Sequence, residues 1–112
     1  MNVWGRLSMT EDHPIATEIV FEDDTVRVWN QRVPAGGSIP RHRHEHDYFL
    51  LNISGTGPIA VQFHEDTGGA MGDSIEFSPV PGKADFIRKG HVETATNLGE
   101  AYRAILVELK QT

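Results

Sequence analysis

The chain has 112 residues, 38% hydrophobic and 23% charged, which suits one domain around one core and excludes a membrane-spanning or disordered chain. A formal charge of −6, from 16 acidic against 10 basic residues, argues against nucleic acid or an anionic membrane as partner, and RHRH and IRKG are too short to form basic patches. Cysteine is absent, so disulfides and thiolate chemistry are excluded and any metal must be held by nitrogen and oxygen.

Residues 1–17 read as an N-terminal extension. It contains Trp4, either a cap over an open barrel end or part of a mobile tail, and His13, expected in solvent beside Pro14. The opening MNVWGRLSMTEDHP lacks the apolar core of a secretory signal, and no apolar run approaches the ~20 residues needed to cross a bilayer, so a cytoplasmic location is expected. From residue 18 onward TEIVFE, TVRVWNQRV, YFLLNI, PIAVQFH, SIEFS, ADFIR, VETATN and YRAILVELK read as strands, being rich in β-branched and aromatic residues. Turn signals separate them: EDD, PAGG, SGTGP, EDTGGAMGD, PVPGK, RKG and NLGE. Short strands at regular spacing without helices predict an all-β sandwich or barrel spanning 18–110. Trp29 belongs to the core or an interface, His64 to the surface, and Gln62 to a pocket or to packing.

The stretch RHRHEHDY, residues 41–48, sets histidines at every second position and then a tyrosine. Read as one strand over 41–53, it puts His42, His44, His46 and Tyr48 on one face and Arg41, Arg43, Glu45 and Asp47 on the other. The outward side chains of Phe49, Leu51 and Ile53 then need a cover. Two imidazoles at i and i+2 stand close enough to chelate one ion, and neutral imidazole is a common metal ligand. The bland alternative is a solvated strand that merely titrates near pH 6.5.

The spacing around this stretch resembles the cupin superfamily. Gly36, five residues, His42-Arg43-His44, three residues, Tyr48, six residues and Gly55 match the intervals of the first cupin motif. Gly82, five residues, Arg88-Lys89-Gly90, two residues, Glu93, three residues and Asn97 match the second. The resemblance implies a single-domain double-stranded β-helix, a jelly-roll barrel with its site in the mouth. The family's ligands are three histidines and a glutamate. Here Tyr48 stands at the glutamate position and Glu93 at the third histidine position. The implied ligand set is His42, His44 and Glu93, with His91 as the alternative third ligand and His46 outside it.

The resemblance further implies a divalent cofactor (Fe, Mn, Ni or Zn) and a dioxygenase, isomerase or lyase acting on a small polar metabolite or organic acid. In that reading Tyr48 is a general acid or hydrogen-bond donor and Arg88 pairs with a substrate carboxylate. The competing reading is a non-catalytic small-ligand binder or sensor without metal. The apolar outer faces of YFLLNI and TVRVW predict a homodimer.

Overall fold

The computed structural model describes residues 12–112, so Trp4 lies outside the described residues. Nine strands run through them: β1 Glu18–Glu22, β2 Val26–Val33, β3 Ser38–Arg43, β4 Tyr48–Ser54, β5 Ile59–Phe63, β6 Ser74–Phe77, β7 Ala84–Ile87, β8 Val92–Asn97 and β9 Tyr102–Leu109. A single 3-10 turn at Gly69–Met71 interrupts them. Among the described residues no helix is long and apolar enough to cross a membrane.

The strands form two antiparallel sheets, ordered β1-β2-β9-β4-β7 and β3-β8-β5-β6. Alternation fixes which side of each strand faces in. On β9, Tyr102, Ala104, Leu106 and Glu108 are buried, while Arg103 is exposed and Ile105, Val107 and Leu109 are half-buried. One core cluster, with Val33, Ile59, Val61, Phe63 and Ala104, fills the middle of the barrel. A second joins Trp29, Tyr48 and Leu106 to Ile15 and Ala16.

Ile15 and Ala16 precede β1, so the described part of the segment expected as an extension, residues 12–17, contributes to the core. Backbone bonds from His13 to the Arg41 carbonyl (2.7 Å) and from Thr17 to the Asn30 carbonyl (3.2 Å) hold it against the barrel end. Asp12 adds ion pairs to Arg41 and Arg43 at 3.2 and 3.1 Å. Fully burying a side chain of the size of Ile15 contributes about 2 kcal/mol, more than exposed ion pairs of this kind. The apolar plug therefore dominates the attachment.

The single strand expected over 41–53 is two strands in different sheets. β3 ends at Arg43, residues 44–47 turn, and β4 begins at Tyr48. The polar groups of this turn are tied to other parts of the chain. His44 N–H donates to the His91 carbonyl (2.9 Å), and Gly90 N–H donates to the His44 carbonyl (2.8 Å). The Asp47 carboxylate accepts from the Lys89 N–H (2.9 Å), and the Asp47 N–H donates to Thr112 (2.9 Å). Strand parity thus does not run from His42 through to Tyr48.

Trp29 is a core residue whose Nε1–H donates to the buried Glu108 carboxylate at 2.6 Å. Arg27 donates to the same oxygen at 2.6 Å, so this buried charge is both paired and hydrogen-bonded. Gln62 faces outward and is exposed. His64 is half-buried, with Nε2 2.8 Å from the Thr94 hydroxyl.

Candidate functional site

β3 and β8 pair so that His42 lies opposite Glu93, which puts a histidine and a carboxylate from neighbouring strands on one inner face. His44, one residue past the end of β3, reaches the same point. The Nε2 atoms of His42 and His44 stand 3.9 and 3.6 Å from the two oxygens of Glu93. One donor atom from each of the three residues falls within a cluster 4.8 Å across. Donors bound at about 2.0–2.2 Å to one ion at tetrahedral angles stand roughly 3.4 Å apart, so the two histidine–Glu93 contacts are near that spacing and the widest pair would have to draw together to seat a divalent ion.

The histidines are prepared for this role by their surroundings. His42 Nδ1 lies 2.8 Å from the Pro40 carbonyl oxygen. A carbonyl can only accept, so Nδ1 carries the proton and Nε2 turns its lone pair toward Glu93. Burial holds His42 below its ordinary pKa, and burial together with the neighbouring His42 and His91 holds His44 well below it. Both rings are therefore neutral near pH 7, the ligating form. Nδ1 of His44 is buried without a protein partner.

Burial alone pushes the Glu93 carboxyl up to about 7. A divalent ion would remove the cause by giving the carboxylate a counter-charge. Two neutral imidazoles and one carboxylate form a 2-His-1-carboxylate set with positions left for a ligand. The residues present fit a divalent metal.

Tyr48, at the start of β4, stacks on His44 with ring centres 4.3 Å apart and planes 14° apart. Its phenol is pushed well above its ordinary pKa, chiefly by burial and then by the Glu93 charge, so a neutral ring lies beside the cluster. His91 stands apart from the cluster. It packs on Phe63 with ring centres 5.1 Å apart and is half-buried. Arg88 is exposed and lines neither cavity at the site. His46 is half-buried in the turn, with its Nδ1 unpartnered, outside the cluster.

Two cavities meet at Glu93 and Tyr48. The inner one, about 70 Å³, is lined by His42, His44, Gln31 and Ile15 among others and holds little more than water. The outer one, about 270 Å³, forms the barrel mouth between Phe63, Met71, Ile75, Phe77 and Ile87, with His91 and Asp85 at its edges. Sequence reasoning did not single out Asp85, Asn52 or Gln31. Asp85 shares parity with the apolar Ile87, and Asn52 interrupts an apolar run, but which side of each strand faces in depends on pairing.

No family model matches the sequence, and no curated protein matches it. Solved structures do match. A cupin domain from Bordetella pertussis aligns with a TM-score of 0.72 and 22% identity, covering 83% of this chain and 90% of that one. A protein with a double-stranded β-helix domain from Klebsiella pneumoniae aligns at 0.59 and 23% identity, covering 93% and 88%. A DMSP lyase from Ruegeria pomeroyi aligns at 0.57 and 16% identity, covering 78% of this chain and 39% of that enzyme. Together with the two antiparallel sheets, these likenesses show that the described residues form an all-β domain of the cupin fold, the double-stranded β-helix.

Proposed function

We propose that the chain is a small metal-binding cupin in which His42, His44 and Glu93 hold one divalent ion, and that it acts as a metal-dependent enzyme of oxygenase, isomerase or lyase type on a small molecule in the barrel mouth. The observation that carries this reading is the convergence of two buried, neutral imidazole Nε2 atoms on one buried carboxylate. A bound Fe, Mn, Ni or Zn ion would supply Lewis acidity or oxygen activation there. The chain's own residues supply the rest. His42 is held in the ligating tautomer by Pro40, the mouth is walled mainly by apolar side chains, and Tyr48 supplies a hydroxyl among the residues lining it.

A metal-free binder or sensor is the alternative. It draws support from the same triad, because Glu93 with a pKa of about 7 tolerates burial without an ion at neutral pH. Elemental analysis of tag-free protein, purified without chelator, separates the two. About one equivalent of divalent metal per chain is expected. Less than a tenth of an equivalent, persisting after incubation with each of the four metals, sinks the enzyme reading.

We also propose a homodimer through the outer face of the five-stranded sheet. Its register lines up Phe21, Val28, Val107, Phe49 and Phe86 as one apolar row across all five strands. Phe21, Phe49 and Phe86 are 53%, 42% and 49% exposed, and Ile53 beside them is 40% exposed. The outer face of the other sheet is polar in the matching places, with Ser38 beside Thr96 and Thr94 and Ser74 flanking Gln62. Two outer faces of one small barrel that differ this much are expected to differ in what covers them. Light scattering should give twice the 12.5 kDa chain mass. The double variant Phe49→Lys/Phe86→Lys should give the monomer mass with an unchanged CD spectrum. A wild-type monomer at tens of micromolar refutes the dimer.

A further inference from the structure

We infer that the mouth cavity takes a small, largely apolar molecule whose outer end is an ammonium or hydroxyl donor, with Asp85 as the residue that recognises that end, and that the Asp85 end does not take a carboxylate. The inference deepens the enzyme reading above and rests on the same cavity. It departs from the organic acid expected from the sequence.

Two features of the lining carry it. The first is charge. Its ionisable groups are the carboxyls of Asp85 and Glu93, the phenol of Tyr48 and the imidazole of His91, and neither lysine nor arginine lines it. The two carboxyls come from opposite sheets, Asp85 from β7 and Glu93 from β8, with the apolar walls between them. At the Asp85 end a carboxylate ligand would be desolvated against apolar side chains and an acid, and the nearest ammonium, that of Lys83, is already paired with Asp85 and 62% exposed. The basic residue expected to meet it, Arg88, stands in solvent.

The second feature is that Asp85 is fixed from behind and retains acceptor capacity. Its Oδ2 accepts from the Asn52 amide at 3.2 Å. Asn52 is fully buried, donates to the Lys83 carbonyl at 3.1 Å and accepts from the Tyr102 hydroxyl at 2.6 Å. The relay Tyr102–Asn52–Asp85 thus sets the carboxylate in place from the core. Its other oxygen faces the Lys83 ammonium at 3.4 Å, but that side chain is 62% exposed, and such a pair is weak. A carboxylate has room for about four hydrogen bonds, so a ligand donor can be added without displacing Asn52. Most of the remaining contact area is aromatic and aliphatic, which fits an aryl or branched alkyl body.

The test uses three matched probes on the full chain as purified: 2-phenylethylamine, 2-phenylethanol and 3-phenylpropionate, with binding read by calorimetry or ligand-observed NMR. The amine should bind at least tenfold more tightly than the propionate, with the alcohol between them. Asp85→Asn, which preserves an acceptor for Asn52, should weaken the amine about tenfold and the alcohol less than threefold, the scale of a charge-assisted hydrogen bond. Met71→Lys, at a rim position that is 42% exposed, should shift the preference toward the propionate without disturbing the fold. Metal content measured on the same samples keeps the two readings apart. The ranking with an empty site sinks only the metal assignment. Propionate binding as tight as the amine in protein stripped of metal with chelator, or no saturation by any of the three probes, overturns the ligand class. An amine preference that survives Asp85→Asn overturns the role of Asp85.

Discussion

His42→Ala and His44→Ala are each expected to drop bound divalent metal from about one equivalent to below a tenth under a competing chelator, while His46→Ala and His91→Ala keep it. Each of the first two changes leaves one imidazole and one carboxylate, too few donors to hold a divalent ion against competition. Glu93→Ala should fail in the same way and also leave the ion's charge uncompensated. His91 packs on Phe63 outside the cluster, so its loss should at most disturb the outer environment, which changes affinity by about 10–100-fold. A thermal readout supports the elemental one. An ion present at a thousand times its Kd adds about 4 kcal/mol to the wild type and nothing to a variant that cannot bind it. If Glu93→Ala binds normally and His91→Ala does not, the third ligand is His91. If none of these variants loses metal, the cluster is a buried polar network and nothing more.

The fold was legible because its turns make demands that only certain residues meet. Gly36 and Gly55, at the two ends of the first spacing pattern, have φ of +75° and +89°, and a Cβ at Gly55 would stand 2.5 Å from the Ala101 carbonyl oxygen. Asn97, which closes the second pattern, is fully buried. Its amide donates to the carbonyls of Val33, Pro34 and Glu100 at 3.1, 3.3 and 2.7 Å and accepts from Gly99 at 3.0 Å, tying the end of β2 to the β8–β9 turn. Such residues fix intervals, and intervals survive in a sequence when side chains change. What is decided by strand pairing was not legible. HEHD alternates like a strand, yet it turns because its backbone and Asp47 bond to the β7–β8 turn and the C-terminus. Asp85 and Asn52 face inward only because β7 pairs with β4 in one register, Leu50 opposite Asp85. The plug formed by Ile15 is a short apolar step in a polar segment, too brief for any periodicity to mark.

The metal-free protein should reveal the burial of Glu93 through the pH dependence of its stability. The folded state holds this carboxyl at about 7, above the ordinary 4.5, so it binds its proton more tightly than the unfolded chain does. The group's contribution is complete below pH ~4.5 and is lost as pH rises through about 7, a total of roughly 3 kcal/mol. His42 and His44 act in the opposite sense. Their folded pKa values are lowered, so their contribution is present above the ordinary 6.5 and is lost as pH falls below it. In the wild type the opposing slopes obscure each other near neutrality. Comparison with Glu93→Gln cancels the burial of the histidines, which the two proteins share, and leaves the glutamate with its coupling to them. Denaturant unfolding in chelator should find the two proteins close in stability at pH 5. At pH 8 the glutamine variant should be more stable by roughly 2–3 kcal/mol, because it never has to bury a charge. Saturating metal should reverse that order, since the ion favours the carboxylate that burial disfavours. It should also release close to one proton per ion when it binds near pH 6.5, measurable by calorimetry in buffers of different ionisation enthalpy. A stability difference between wild type and variant that stays constant from pH 5 to pH 8 would mean that Glu93 meets water in solution, and the buried triad would fall with it.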